Sequence, residues 1–154
     1  MMDIMAGRSS QKMDSTAIRL VLPSRFGYEK IAMDVAATLA EIMGFSPTRV
    51  EDLRTAVSEA CINAMEHGNN LNAHNRVELL LVPGRRALKI QVYDCGRGFP
   101  IEMRTEPNIA KKLAGEESPR GWGLYLIERL VDRVEFKTVE EAGHVITLTM
   151  NLGE

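Results

Sequence analysis

An α+β two-layer sandwich, its mixed but mostly antiparallel sheet covered on one face by about three helices, is the fold class this sequence predicts. Three observations predict it. Two stretches in the first half of the chain carry apolar residues at helical spacing. Stretches of alternating residues in the middle and at the end read as paired strands. Taken in order, the segments run strand, helix, helix, strand, strand, loop, helix, strand, strand, so strands follow strands instead of alternating with helices. A chain of 154 residues suits one domain, placed at 16–154.

The opening MMDIMAGRSSQKMDS (1–15) lacks the apolar core of a secretory signal and reads as a mobile N-terminal arm. TAIRLVL (16–22) alternates as a strand does, and Pro23-Ser24 breaks it. From Tyr28 to Met43, apolar residues fall at Ile31, Val35, Leu39, Ile42 and Met43, one stripe of an amphipathic helix that Gly44 ends. Ser46-Pro47 reads as an N-cap with proline at the first helical position. The helix it starts should run to about Glu66 and stop at Gly68. RVELLLVPGRRALKIQVYD (76–94) is a hairpin turning near Pro83-Gly84. In its second strand Leu88, Ile90, Val92 and Asp94 share one face, which puts Asp94 at the buried end of an apolar row. Residues 99–119 form a loop long enough to be either functional or disordered. RGWGLYLIERLVDRV (120–134) is a glycine-rich turn feeding a helix with Leu124, Ile127, Leu130 and Val131 inward. VEFKTV and HVITLTM close the chain as strands. No internal repeat or low-complexity tract is present.

Composition excludes several functions. Hydrophobic residues make up 45% and charged residues 26%, an ordinary soluble globular balance. The net charge of −2 argues against a direct nucleic-acid binder, which needs a basic face for phosphates. No apolar run is long enough to cross a bilayer, and nothing supports export, so the expected location is cytoplasmic and away from the membrane. The two cysteines, Cys61 and Cys95, are too few for a disulfide framework or a zinc site and read as small buried apolar residues. His67 and His74 lack further ligands at matching spacing, which disfavours a metal-only site.

Chemistry concentrates in three places. In SEACINAMEHGNN (58–70), Leu53, Val57, Ala60, Cys61 and Ala64 gather on one helix face and Glu59, Asn63 and Glu66 on the other. The pattern suits a solvated polar face. It also suits a site, because a carboxamide oxygen is a hard neutral ligand for Mg²⁺ and a carboxylate one turn away can orient or deprotonate an attacking group. In YDCGRGF (93–99), an inward-facing Asp94 is costly unless a donor satisfies it, and a ligand amino group is such a donor. Gly96 and Gly98 would let the backbone approach a flat ring, although Asp-x-Gly is also a plain turn signal. In RGWGL (120–124), Gly121 and Gly123 expose N–H groups at a helix start, a setting that suits phosphate. Neither a Walker loop nor a Rossmann fingerprint is present.

Each fragment is ambiguous by itself, but their order and spacing are specific. Glu-x-x-x-Asn on a helix, Asp-x-Gly-x-Gly after a strand, a loop, then Gly-x-Gly-Leu opening a helix resembles the GHKL ATPase superfamily with its Bergerat ATP-binding fold. The resemblance covers about residues 16–150. Glu59 to Asn63 matches the N box, Asp94 to Gly98 the first glycine box, and Arg120 to Leu124 the second. NAMEHGNN and the single short domain look most like the bacterial anti-sigma factor and switch-protein serine kinases. The resemblance implies that Asn63 holds Mg²⁺ bridging the ATP phosphates, that Glu59 acts as general base, and that Asp94 accepts from the adenine amino group. It implies that Gly96 and Gly98 pass the adenine, and that Arg120, Gly121, Trp122, Gly123 and Leu124 form the phosphate loop. Residues 99–119 become the ATP lid. The implied cofactors are ATP and Mg²⁺. The implied partners are a sigma factor or analogous effector, a STAS-domain antagonist that receives the phosphoryl group, and a second copy of the chain. The alternative is a catalytically silent module that binds its partner under ATP control. Cys95 and Trp122 depart from the usual residues. A hydroxyl often found just after the last-strand glycine is replaced by His144 after Gly143, and Thr147 lies further on.

Overall fold

The computed structural model describes residues 16–68, 74–94, 120–139 and 143–153. The segments expected to form an arm (1–15) and a lid (99–119), and Cys95, Gly96 and Gly98, lie outside these residues. So do the side chains of residues 120–124.

Strand β1 (Ile18–Pro23) is followed by helices α1 (Glu29–Met43) and α2 (Pro47–Asn63), the hairpin β2 (Arg76–Pro83) and β3 (Ala87–Tyr93), helix α3 (Arg120–Leu130), and strands β4 (Arg133–Val139) and β5 (Gly143–Asn151). The sheet order is β1-β2-β3-β5-β4. All four pairings are antiparallel, the limiting case of the mostly antiparallel sheet the sequence predicts. Period-two alternation sets the register: Leu79 pairs with Val92, Leu81 with Ile90, and Ile90 with Leu148. These residues are fully buried or nearly so and join the helices in one core. Tyr93, Val145 and Leu80 form a smaller cluster on the other face.

Ser46 caps α2 as its sequence requires, its Oγ accepting the Arg49 N–H at 3.3 Å. Gly44 closes α1 in the left-handed conformation at φ 98° and donates its N–H to Ala40 and Glu41. The apolar stripe of α1 differs from expectation. Ile31 is 44% exposed and Ile42 is 77% exposed. Leu39 is buried and Val35 and Met43 pack against the core as expected, but most of the buried face is alanine: Ala32, Ala36, Ala37 and Ala40. The reason is close packing of α1 against α2, where Ala56 and Ala60 are also fully buried: small residues let two helix backbones approach, and the bulky stripe is turned partly outward.

Helix α2 lies between α1 and α3. Past Asn63 it widens into a π-helical turn, Ala64–Gly68, where α-helix was expected to continue to Glu66. Such turns insert an extra residue per turn and are common beside functional sites.

Cys61 is fully buried on α2. Burial, with the Glu29 carboxylate adding to it, pushes its thiol from 9.0 to about 12. The unfolded chain gives up this proton near pH 9, while the folded chain keeps it until about pH 12. The unfolded state therefore binds fewer protons in that window, and stability is expected to fall as pH rises through it. A Cys95→Ser variant should also leave Ellman's reagent unreacted at pH 8 until denaturant is added. Rapid labelling of the native protein would contradict this burial.

Candidate functional site

The core-facing alternation of β3 ends at Asp94, which the structure buries to 2% exposure at the place its row predicts. The start of β5 lies against it. The Asp94 N–H donates to the His144 carbonyl at 3.0 Å, and the His144 N–H donates to Asp94 Oδ1 at 3.3 Å. The His144 ring stands beside the same carboxylate, its Nδ1 3.9 Å from Oδ1. One side of the carboxylate is thus fixed by a backbone donor from a neighbouring strand, which offsets part of its desolvation.

Gly143 makes that approach possible. Its φ is +90°, and a Cβ at this position would overlap the Asp94 carbonyl oxygen and stand 3.0 Å from Oδ1. Gly143→Ala combines a strained backbone with that overlap, so Asp94 must move. We expect ATP affinity to fall about tenfold, readable by calorimetry, together with a lower melting temperature. Unchanged affinity would show that Gly143 does not position Asp94.

Asn63 is the last residue of α2 and is completely buried. This corrects the solvated-face alternative for that residue: α2 is sandwiched between two helices, so a position that looks polar-faced on a helical wheel is interior. Among the described residues, neither Nδ2 nor Oδ1 of Asn63 has a hydrogen-bond partner. Leaving such a group unsatisfied costs about 1–3 kcal/mol, and native proteins seldom do so without a reason. Glu59, one turn earlier, is half-buried, as is Glu66 in the π turn. The backbone of Arg120, Gly121, Trp122 and Gly123 forms the first turn of α3, the part of a helix whose N–H groups lack intrahelical acceptors.

The buried carboxamide and the part-buried carboxylate before it fit a Mg²⁺–phosphate group chemically, since Mg²⁺ takes oxygen ligands and keeps several of its own waters. Asp94 fits a purine amine. Sequence reasoning named Gly143 and His144 only by position in the last strand. Their signal is the β3–β5 register, which no local pattern contains. Thr147 pairs with Gln91, on the face of β5 away from Ile146, Leu148 and Asp94, so it supplies no hydroxyl there.

Residues 22–150 match the family profile described as "Histidine kinase-like ATPase domain". The chain is similar to the serine-protein kinase RsbW of Bacillus velezensis, with 30% identity over 88% of this chain and 85% of that protein. It is 28% identical to the serine-protein kinase RsbW of Bacillus subtilis over 92% of this chain and 89% of that one. Among solved structures, the RsbU and RsbW domains of a Mycobacterium tuberculosis protein superpose with a TM-score of 0.62 at 18% identity, a likeness of fold. That match covers 91% of this chain, which spans only 33% of the larger one.

Proposed function

This chain belongs to the family of histidine kinase-like ATPase domains, and from that premise we propose that it is an ATP–Mg²⁺-dependent protein serine/threonine kinase of the anti-sigma factor type. One observation carries the reading: Asn63 is a buried carboxamide with no hydrogen-bond partner among the described residues, set one helical turn beyond Glu59. Bound Mg²⁺–ATP supplies the transferable phosphoryl group and charge compensation for it. Asn63 Oδ1 holds the metal. Asp94, steadied by His144, accepts from the adenine amine, and the first-turn N–H groups of α3 face the phosphates. Glu59 orients the incoming hydroxyl and takes its proton.

The acceptor is a serine or threonine of a STAS-type antagonist, and the sequestered effector is a sigma factor or its analogue. The similarity to serine-protein kinases named RsbW supports this assignment. A homodimer is supported by the exposed apolar residues of the first strand and first helix, Ile18 and Val21 on β1 and Ile31 and Ile42 on α1. No helix among the described residues is long and apolar enough to cross a membrane, and the proposed site of action is the cytoplasm.

A pull-down from the native cell with and without ATP, followed by phosphosite mapping, tests the function. The expected result is one effector protein and one small antagonist carrying phosphoserine or phosphothreonine. Recovery of partners with no ATP-dependent phosphorylation would favour the silent binding module.

A further inference from the structure

At the end of the molecule far from Asn63 and Asp94 lies a groove of about 750 Å³. It is formed by the start of α2, the β2–β3 turn, and the ends of α3 and β5. Its floor is partly apolar, from Ala87 and Leu152, and its charged lining is Arg49, Arg85, Arg86 and Asp132. Three arginines against one carboxylate is a cationic excess on a chain whose net charge is −2.

These charges differ in kind. Arg49 is committed: it donates to Asp132 at 2.9 Å, to Asp52 at 3.3 Å and to the Leu130 carbonyl at 3.3 Å. Asp132 also accepts the Asn151 N–H at 2.6 Å. Together they make a fixed wall. The floor is fixed as well, since the Leu152 N–H donates to the Arg86 carbonyl at 2.7 Å. Arg85 and Arg86 are exposed and make no ion pair or side-chain hydrogen bond among the described residues. Among the described residues, two adjacent guanidinium groups thus stand unneutralised at the mouth of an apolar-floored groove. Guanidinium groups match carboxylates in a bidentate fork.

We propose that this groove docks an acidic segment of a partner protein, one that places an apolar side chain on Ala87 and Leu152 and carboxylates on Arg85 and Arg86. A volume in the range of ligand clefts exceeds what a single inorganic anion fills, and such an anion leaves the apolar floor uncovered. A nucleic acid needs a longer basic track and would bring phosphates against Asp132. The stretch of α2 from Arg49 to Asn63 separates the groove from the buried carboxamide by about 21 Å. Occupancy of one end therefore leaves the other accessible, and the inference does not depend on the kinase reading.

The test is an NMR titration of the ¹⁵N-labelled full chain with a twelve-residue peptide of glutamate, aspartate and leucine. The expected shifts are at residues 85–87 and 151–153. Arg85→Glu with Arg86→Glu should weaken binding about tenfold or more, and a lysine–leucine peptide should then bind that variant better than the acidic one does. Unperturbed amides elsewhere establish that the variant is folded. The proposal is overturned if the acidic peptide leaves these amides unshifted at millimolar concentration, or if the charge reversal leaves its affinity unchanged. It is equally overturned if inorganic phosphate or a twelve-nucleotide DNA strand shifts the same amides at lower concentration than the peptide.

Discussion

Glu59→Ala is expected to slow phosphoryl transfer by about 10²–10⁴-fold, the usual range for losing a general base, while ATP affinity stays within a fewfold. The separation follows from position. Glu59 sits one turn before Asn63, at the end of α2 where the phosphates are proposed to lie, and it is half-buried. Asp94 lies at the end of β3, on a different element, so the adenine end is expected to be untouched by the change. Alanine is a strong helix former, so α2 itself is not weakened by propensity. A phosphotransfer assay with the identified acceptor, alongside calorimetry, reads both quantities. Full activity in the variant would replace the kinase by the silent binding module.

Asp94→Asn should weaken ATP binding by about tenfold to a hundredfold or more, the equivalent of a charge-assisted hydrogen bond of about 1.5–3 kcal/mol. The structure sharpens the reason. Asp94 Oδ1 accepts the His144 N–H at 3.3 Å. An asparagine that keeps this bond with its carbonyl oxygen turns its N–H₂ toward the adenine amine, which sets donor against donor. An asparagine that flips to serve adenine sets the same N–H₂ against the His144 N–H. Either orientation loses one bond. Affinity equal to the parent's would remove adenine from this carboxylate.

Much of this site was legible because it rests on local periodicity. Alternation along Leu88, Ile90 and Val92 places Asp94 inside, and the structure buries it there. Helical spacing puts Glu59 and Asn63 one turn apart on α2. What was illegible depends on partners distant in sequence. The full burial of Asn63 comes from helices on both sides of α2, which no helical wheel of α2 contains. The exposed Ile31 and Ile42 arise because alanines, weak hydrophobic signals, take the close helix–helix contact. The π turn after Asn63 leaves no pattern in AMEHG that distinguishes it from α-helix. Gly143 meets Asp94 only because β5 inserts between β3 and β4, a sheet order not written in any segment.

The central claim is that Asn63, buried with no hydrogen-bond partner among the described residues, has Mg²⁺–ATP as its partner. Calorimetric titration of the full chain with ATP, with and without Mg²⁺, in the parent and in Asn63→Ala, tests it most directly. The parent should bind ATP at one site and about tenfold more tightly with Mg²⁺. Asn63→Ala should lose that gain and bind ATP alike with and without the metal. A parent that binds no ATP at millimolar concentration, or a variant that keeps the full Mg²⁺ gain, would contradict the account.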